Sequence, residues 1–215
     1  MTEETALREA ICQFARSMFD RGLTGGSTGN ISARLSDGRL LVTPTGTSFG
    51  TLDPARLSLF DVEGRHVAGD LPTKEMALHS AFYDTRNCGA VVHLHGTHST
   101  ALSVLPDTDP DNVLPPITAY SIMKLGRVKL LPYFRPGDPA MGQAVRGLAG
   151  KRSAVLLANH GPVVSAKDLA AAVYATEELE ETAKLTLLTR GLSPVLLDTA
   201  QIRDLVTTYN IEWED

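Results

Sequence analysis

Two histidines one residue apart, His93 and His95, end the apolar run Ala90-Val91-Val92. Strand side chains alternate faces, so the pair projects in one direction from a rigid element. A second apolar run, Ala154-Val155-Leu156-Leu157-Ala158, leads to a third histidine, His160, followed by Gly161-Pro162. Three imidazoles with one position left open are the ligand set of a catalytic zinc-type centre, whereas a closed structural site needs a fourth protein ligand. The two cysteines, Cys12 and Cys88, supply no ligand-spaced pair. A His-x-His pair alone more often belongs to a core or a surface. Its place at a strand end, where sites concentrate in α/β folds, and the third histidine favour a metal. His98 would face away from the pair on a strand and is left out. His66 and His79 fall on an expected turn and an expected helix and read as structural.

The elements that must position these groups follow from periodicity. Leu7, Ile11, Phe14, Ala15, Met18 and Phe19 recur at helical steps and predict a helix over 5–22, stopped by Gly22. Strands are expected over 31–35 and 40–42, joined by Ser36-Asp37-Gly38, and over 57–62. A helix is expected over about 74–83, the histidine strand over 90–95, and a short strand over 128–131. Residues 106–116, with four prolines and three aspartates, predict a loop. A helix over 140–149 and strands over 154–158 and 162–164 follow. Ser165-Ala166-Lys167-Asp168 reads as a capping box opening a helix that runs to about Thr189, with Leu169, Val173, Thr176, Leu179, Ala183 and Leu187 on one stripe. The fold class is α/β: one domain over 1–215 with a central mixed, mostly antiparallel sheet flanked by helices. A cupin could also use His-x-His with a later histidine, but cupins are all-β and the two strong helices argue against one.

Three segments rich in small and hydroxyl residues could bind phosphate through exposed backbone N–H groups: Ser27-Thr28-Gly29-Asn30, Thr43-Pro44-Thr45-Gly46 and Thr73-Lys74. None is a nucleotide fingerprint, and each alone also reads as a turn. Lys74 adds a point charge. Glu75 stands in the first turn of an expected helix, where the dipole favours an acid; beside a metal it would instead serve as a general acid or base, and the local sequence leaves both readings open.

Bulk composition narrows the classes. The 215 residues, 43% hydrophobic and 21% charged, are ordinary for a globular protein. A net charge of −5 gives no field for nucleic acid or an anionic membrane. The acidic start, Thr2-Glu3-Glu4-Thr5, lacks a signal-peptide pattern, and no apolar stretch is long enough to span a bilayer. A cytoplasmic protein without nucleic-acid or membrane partners is the expectation.

Taken in order, Gly29-Asn30-Ile31-Ser32, Thr43-Pro44-Thr45-Gly46, Leu71-Pro72-Thr73-Lys74-Glu75, His93-Leu94-His95 and Asn159-His160-Gly161 resemble the class II aldolase/adducin family, which includes fuculose phosphate aldolase. The resemblance spans about 5–190. It implies that His93, His95 and His160 hold a divalent metal, usually zinc, otherwise an ion such as Mn2+ or Co2+. It implies that Glu75 is the catalytic acid/base and can itself ligate the metal when substrate is absent. Asn30, Thr45, Gly46, Thr73 and Lys74 match positions that bind substrate phosphate. Tyr120 lies near a family tyrosine that donates a proton. Family members are typically four-fold symmetric tetramers with the site at a subunit interface, so a homotetramer is implied.

Phosphosugar aldolases of the family carry two small hydroxyl residues before the glutamate; here the second is Lys74. With Pro132-Tyr133-Phe134-Arg135-Pro136-Gly137-Asp138 and the acidic run from Glu177, this is most similar to the 3-oxo-tetronate 4-phosphate decarboxylases. The resemblance implies a metal-dependent lyase acting on a phosphorylated sugar acid, releasing carbon dioxide and dihydroxyacetone phosphate through a metal-stabilised enediolate. Retro-aldol cleavage of a ketose 1-phosphate such as fuculose phosphate leaves the same enediolate, so an aldolase is the alternative. A pentulose phosphate 4-epimerase uses related chemistry. A non-catalytic adducin-like scaffold is disfavoured because all three ligand histidines are present.

Overall fold

Thr2 opens the first helix, accepting from the Thr5 backbone N–H, and Glu3 and Glu4 fill the first turn where the helix dipole favours acids. The helix α1 (Glu3–Asp20) buries Ile11, Ala15 and Met18. This computed structural model describes residues 1–213. After α1 come β1 (Asn30–Arg34), β2 (Leu40–Val42), β3 (Ser58–Phe60), β4 (His66–Ala68), α2 (Met76–Thr85), β5 (Ala90–His93), α3 (Thr97–Ser103) and α4 (Ala119–Leu125). The chain continues through β6 (Lys129–Leu131), α5 (Ala140–Gly147), β7 (Ala154–Leu157), β8 (Gly161–Ala166), α6 (Leu169–Thr189) and α7 (Thr199–Tyr209).

The strands form one sheet in the order β4-β3-β2-β1-β5-β8-β7-β6. Every neighbouring pair is antiparallel except β6 with β7. The mixed, mostly antiparallel α/β sheet expected from the sequence is therefore what forms. β5 and β7 are buried throughout, as continuous apolar runs covered on both faces must be. Ile31, Ala33, Ala90, Val92 and Leu94 pack on one face against α1 and the start of α6. Val91, Val155, Leu157 and Val163 pack on the other against α2 and α5. Alternation along β5 thus puts His93 on the face that α2 covers, two residues on from Val91.

Several local expectations shift. Residues 165 and 166 remain in β8, and the N-cap of α6 is Asp168, which accepts from Ala171 N–H; Ser165 instead donates to the Ser153 carbonyl. The strand pairing with β5 outcompetes the capping box. The helix expected from Lys74 begins at Met76, with Glu75 at its N-cap and its side chain turned away from capping. His98 stands on α3, not on a strand, and His66 lies in the exposed edge strand β4, not in a turn. The short helices α3 and α4 and the terminal α7 were not expected from periodicity. Residues 106–116 contain no helix or strand, as their prolines require. Among the described residues no helix is long and apolar enough to cross a membrane.

Candidate metal centre and phosphate cleft

β5 and β8 pair with His93 opposite Val163, and β7 turns into β8 through Asn159 and His160. Asn159 takes left-handed backbone at φ 58°, and His160 N–H donates to the Leu157 carbonyl at 3.2 Å, closing a tight turn. The turn is tied to α3: Ser103 Oγ accepts from Asn159 N–H at 3.0 Å, and Thr100 Oγ1 donates to the His160 carbonyl at 3.1 Å. Gly161 follows because a Cβ there would stand 2.2 Å from the Leu94 carbonyl oxygen. These contacts bring His160 against the end of β5.

The three Nε2 atoms form a near-equilateral triangle: His93–His95 3.2 Å, His93–His160 3.3 Å and His95–His160 3.1 Å. His93 Nδ1 donates to the Pro162 carbonyl at 2.8 Å, which leaves the Nε2 lone pair of the neutral ring aimed at the other two. Bonds from zinc to nitrogen are about 2.0–2.1 Å, so tetrahedral ligands stand about 3.3 Å apart. The triangle has the spacing of three such ligands. The Glu75 carboxylate faces it, with Oε2 3.4 Å from His93 Nε2 and Oε1 3.5 Å from His160 Nε2. Glu75 Oε1 is buried with no hydrogen-bond partner. Converging lone pairs and an orphaned carboxylate oxygen are what a cation would satisfy, so these residues fit a divalent metal.

Electrostatics follow from burial. The His93 ring is fully buried and desolvation pushes its pKa down to about 4. Burial also lowers the pKa of His95 and His160, and at His95 the neighbouring His160 ring adds to the effect. All three rings are therefore neutral near pH 7, the form in which imidazole can ligate a metal. Burial works against the Glu75 carboxylate, but His93, the Asn30 amide and His160 outweigh it and hold the group below the ordinary carboxylate range. Asn30 Nδ2 donates to Glu75 Oε2 at 2.8 Å.

A cleft of about 160 Å³ opens over this floor. Asn30, Thr45, Gly46, Thr73, Lys74, Glu75, His95 and His160 all line it, so the structure gathers the sequence-predicted phosphate positions and the ligand end in one place. The two hydroxyl-rich loops lie side by side: Thr45 N–H donates to the Leu71 carbonyl at 2.9 Å, and Thr73 N–H to the Thr43 carbonyl at 3.3 Å. Gly29 reaches φ +85°, and a Cβ there would stand 3.0 Å from the His93 carbonyl oxygen, which lets the 27–30 loop close over β5. With the histidines neutral, Lys74 is the cationic side chain among the described residues lining the cleft. His93 lies beneath, fully buried. Tyr120 is not brought in: it is exposed on α4, outside the cleft of its own chain.

Sequence reasoning missed other contributors. Pro136 and Gly137 line the cleft, with Gly137 against Lys74; nothing in that loop's composition points inward. His79, which reads as structural from sequence, is fully buried directly behind Asn30. Its spacing four residues after Glu75 was the available signal.

The sequence and the fold have counterparts among known proteins. The profile of the Class II Aldolase and Adducin N-terminal domain matches residues 9–187. A 3-oxo-tetronate 4-phosphate decarboxylase from Haemophilus influenzae is 46% identical over 205 residues, covering 94% of this chain and 97% of that protein. The L-fuculose phosphate aldolase of Escherichia coli K12 is 32% identical over 221 residues, covering 99% of this chain and all of that protein. The crystal structure of YgbL from Escherichia coli superposes with a TM-score of 0.92 at 46% identity over 95% of this chain and 99% of that one. With a profile match across most of its length and relatives aligned nearly end to end, this chain belongs to the class II aldolase and adducin family.

Proposed function

We propose that this protein is a metal-dependent carboxy-lyase that converts a 3-oxo-tetronate 4-phosphate into dihydroxyacetone phosphate and carbon dioxide. The observation that carries the reading is the convergence of three histidine Nε2 atoms and the Glu75 carboxylate on the floor of a cleft walled by phosphate-suited loops. The substrate class follows the relatives: the decarboxylase is 46% identical, the aldolase 32%.

In this reading His93, His95 and His160 hold the metal, zinc or another divalent ion such as Mn2+ or Co2+, and Glu75 completes the set when substrate is absent. When bound, the metal would supply Lewis-acid stabilisation of negative charge developing on the substrate's carbonyl oxygen. Asn30, Thr45, Gly46 and Thr73 bind the phosphate through their side-chain donors and the N–H groups not already bonded between the loops, and the Lys74 ammonium adds charge. A phosphate held at the rim orients the reacting carbons toward the floor. The carboxyl group is beta to the ketone, so its loss as carbon dioxide leaves an enediolate, which takes a proton at carbon. In the free protein Glu75 is a carboxylate. The two anionic groups of an arriving substrate raise its proton affinity. A proton taken up from solvent with the substrate then resides on Oε1, the oxygen that Asn30 leaves unbonded, and passes from there to the enediolate carbon. Tyr120 supplies a second acid and serves the site of a neighbouring subunit in a homotetramer. A phosphorylated substrate and two free cysteines fit a cytoplasmic setting.

An aldolase reading stands second, because the 32% relative aligns over 99% of this chain and the same enediolate arises from a ketose 1-phosphate. Incubating the zinc-loaded protein with 3-oxo-tetronate 4-phosphate is expected to release dihydroxyacetone phosphate and carbon dioxide together. Turnover of fuculose 1-phosphate with none of the oxo acid would reverse the order. Recovery of an epimer of a pentulose phosphate in place of fragments would replace both.

A further inference from the structure

Behind Glu75, away from the cleft, buried polar side chains line the junction of α2 and β1. Glu75, His79 and Tyr83 are four residues apart and share one face of the helix. Asn30, Ser32 and Arg34 alternate along β1 and face them. The two periodicities meet contact for contact. Asn30 Nδ2 donates to Glu75 Oε2, and Asn30 Oδ1 meets His79 Nε2 in a short hydrogen bond. Ser32 Oγ lies 2.7 Å from His79 Nδ1 and 2.9 Å from the Tyr83 hydroxyl. The Arg34 guanidinium lies over the Tyr83 ring at 4.5 Å. The His79 side chain is fully buried.

One end of this line sets the direction of every bond in it. A carboxylate only accepts, so Asn30 presents its NH₂ group to Glu75. The Asn30 oxygen then faces His79, whose Nε2 must carry the proton. A neutral imidazole protonated at Nε2 accepts at Nδ1, so the Ser32 hydroxyl donates to it. Ser32 Oγ in turn accepts from Tyr83. Each hydrogen points along the line toward Glu75, an arrangement in which bonds polarise one another. Burial keeps the His79 ring neutral, pushing its pKa down to about 3.

We propose that His79 is a positioning residue: its Nε2–H locks the Asn30 amide so that Nδ2 meets Glu75 Oε2, leaving Oε1 for the reacting groups. Without that donor the amide can rotate, and its oxygen would then repel the carboxylate. The role rests on the reading of Glu75 as the proton carrier of a lyase.

Ring nitrogen NMR on the ¹⁵N-histidine-labelled, zinc-loaded full chain tests the arrangement without turnover. His79 is expected as the Nε2–H tautomer, unchanged across about pH 6–8. An Nδ1–H tautomer or an imidazolium overturns the proposal. Kinetics on 3-oxo-tetronate 4-phosphate give the second readout. His79→Leu is expected to lower kcat about ten- to a hundredfold, with KM and zinc content moving less than about threefold. His79→Gln, whose amide reaches where Nε2 stands, should recover part of the loss. His79→Asn, which reaches only the Ser32 side, should not. A folded His79→Leu protein within about threefold of wild-type kcat, or Gln no better than Asn, also overturns it. Should the wild-type protein turn over no phosphorylated substrate, the lyase reading fails separately, and the tautomer alone decides how Asn30 is held.

Discussion

The floor and the rim of the cleft are built in different ways. The floor is rigid: His93 is in β5, His160 is in a turn tied to α3, and His93, His160 and Glu75 are all buried. The rim is loop: Thr45, Gly46 and Lys74 are exposed, and those loops offer an anion hydroxyls, the backbone N–H groups not bonded between them and one flexible ammonium. Groups that must hold a fixed geometry sit on strands and buried turns. In the proposed function, most groups that admit and release a substrate sit on exposed loops, with Asn30 and Thr73 buried at their base. The contrast implies that floor substitutions change what chemistry is available, whereas rim substitutions change how well substrate is held.

Removing a floor ligand is the most severe test. His160→Ala is expected to abolish stoichiometric zinc and reduce turnover about a thousandfold or more, with the fold kept. Elemental analysis and circular dichroism check both halves. Acidification should mimic it reversibly. The folded-state pKa values of His93, His95 and His160 lie below the unfolded value, so the stability from keeping these rings neutral is complete above about pH 6.5 and declines as pH falls toward the folded values, near 4 for His93. Protons compete for the same lone pairs, so acidification should also release the metal. A His160→Ala protein that retains stoichiometric zinc would break the distinction between floor and rim.

Glu75 belongs to the floor, but the proposed function gives it a different role from the histidines. Glu75→Gln keeps the shape and the hydrogen-bonding capacity toward Asn30 while losing the proton-carrying carboxylate. Zinc content should be retained and kcat should fall about a hundredfold or more. A variant within about tenfold of wild type would remove Glu75 from its role, since general acid–base catalysis contributes at least that much.

The floor was more legible in sequence than the rest, and the reason is physical. Alternation along Ala90-Val91-Val92-His93 and an apolar run before His160 are local patterns that the sheet preserves. The flanking helices α1 and α6 were legible for the same reason, although the start of α6 was misplaced because β8 claimed Ser165 and Ala166. His79 was lost because a histidine inside a helix carries no sign of what faces it; only the pairing of β1 with β5 brings Asn30 and Ser32 opposite. The helices α3 and α4, each seven residues long, are too short for periodicity to register. The rim loops were recognised by composition, yet their side-by-side arrangement depends on bonds between residues far apart, such as Thr45 N–H to the Leu71 carbonyl.

Lys74 is the mildest test and the most discriminating for the rim. Its side chain is exposed and its backbone stands one residue before Glu75, so the substitution can be made without disturbing buried structure. If Lys74 only helps hold the anionic substrate, Lys74→Gln removes binding that ground state and transition state share. KM should then rise about tenfold with kcat and zinc content nearly unchanged. If the ammonium instead engages groups whose charge changes during reaction, kcat would fall with KM unaltered. That outcome would move Lys74 from the rim's work to the floor's, because an exposed loop residue would be acting on the reacting atoms. Steady-state kinetics at two ionic strengths separates the cases further: an exposed charge that only attracts substrate loses its advantage as salt rises, so the KM gap between wild type and Lys74→Gln should narrow at high salt.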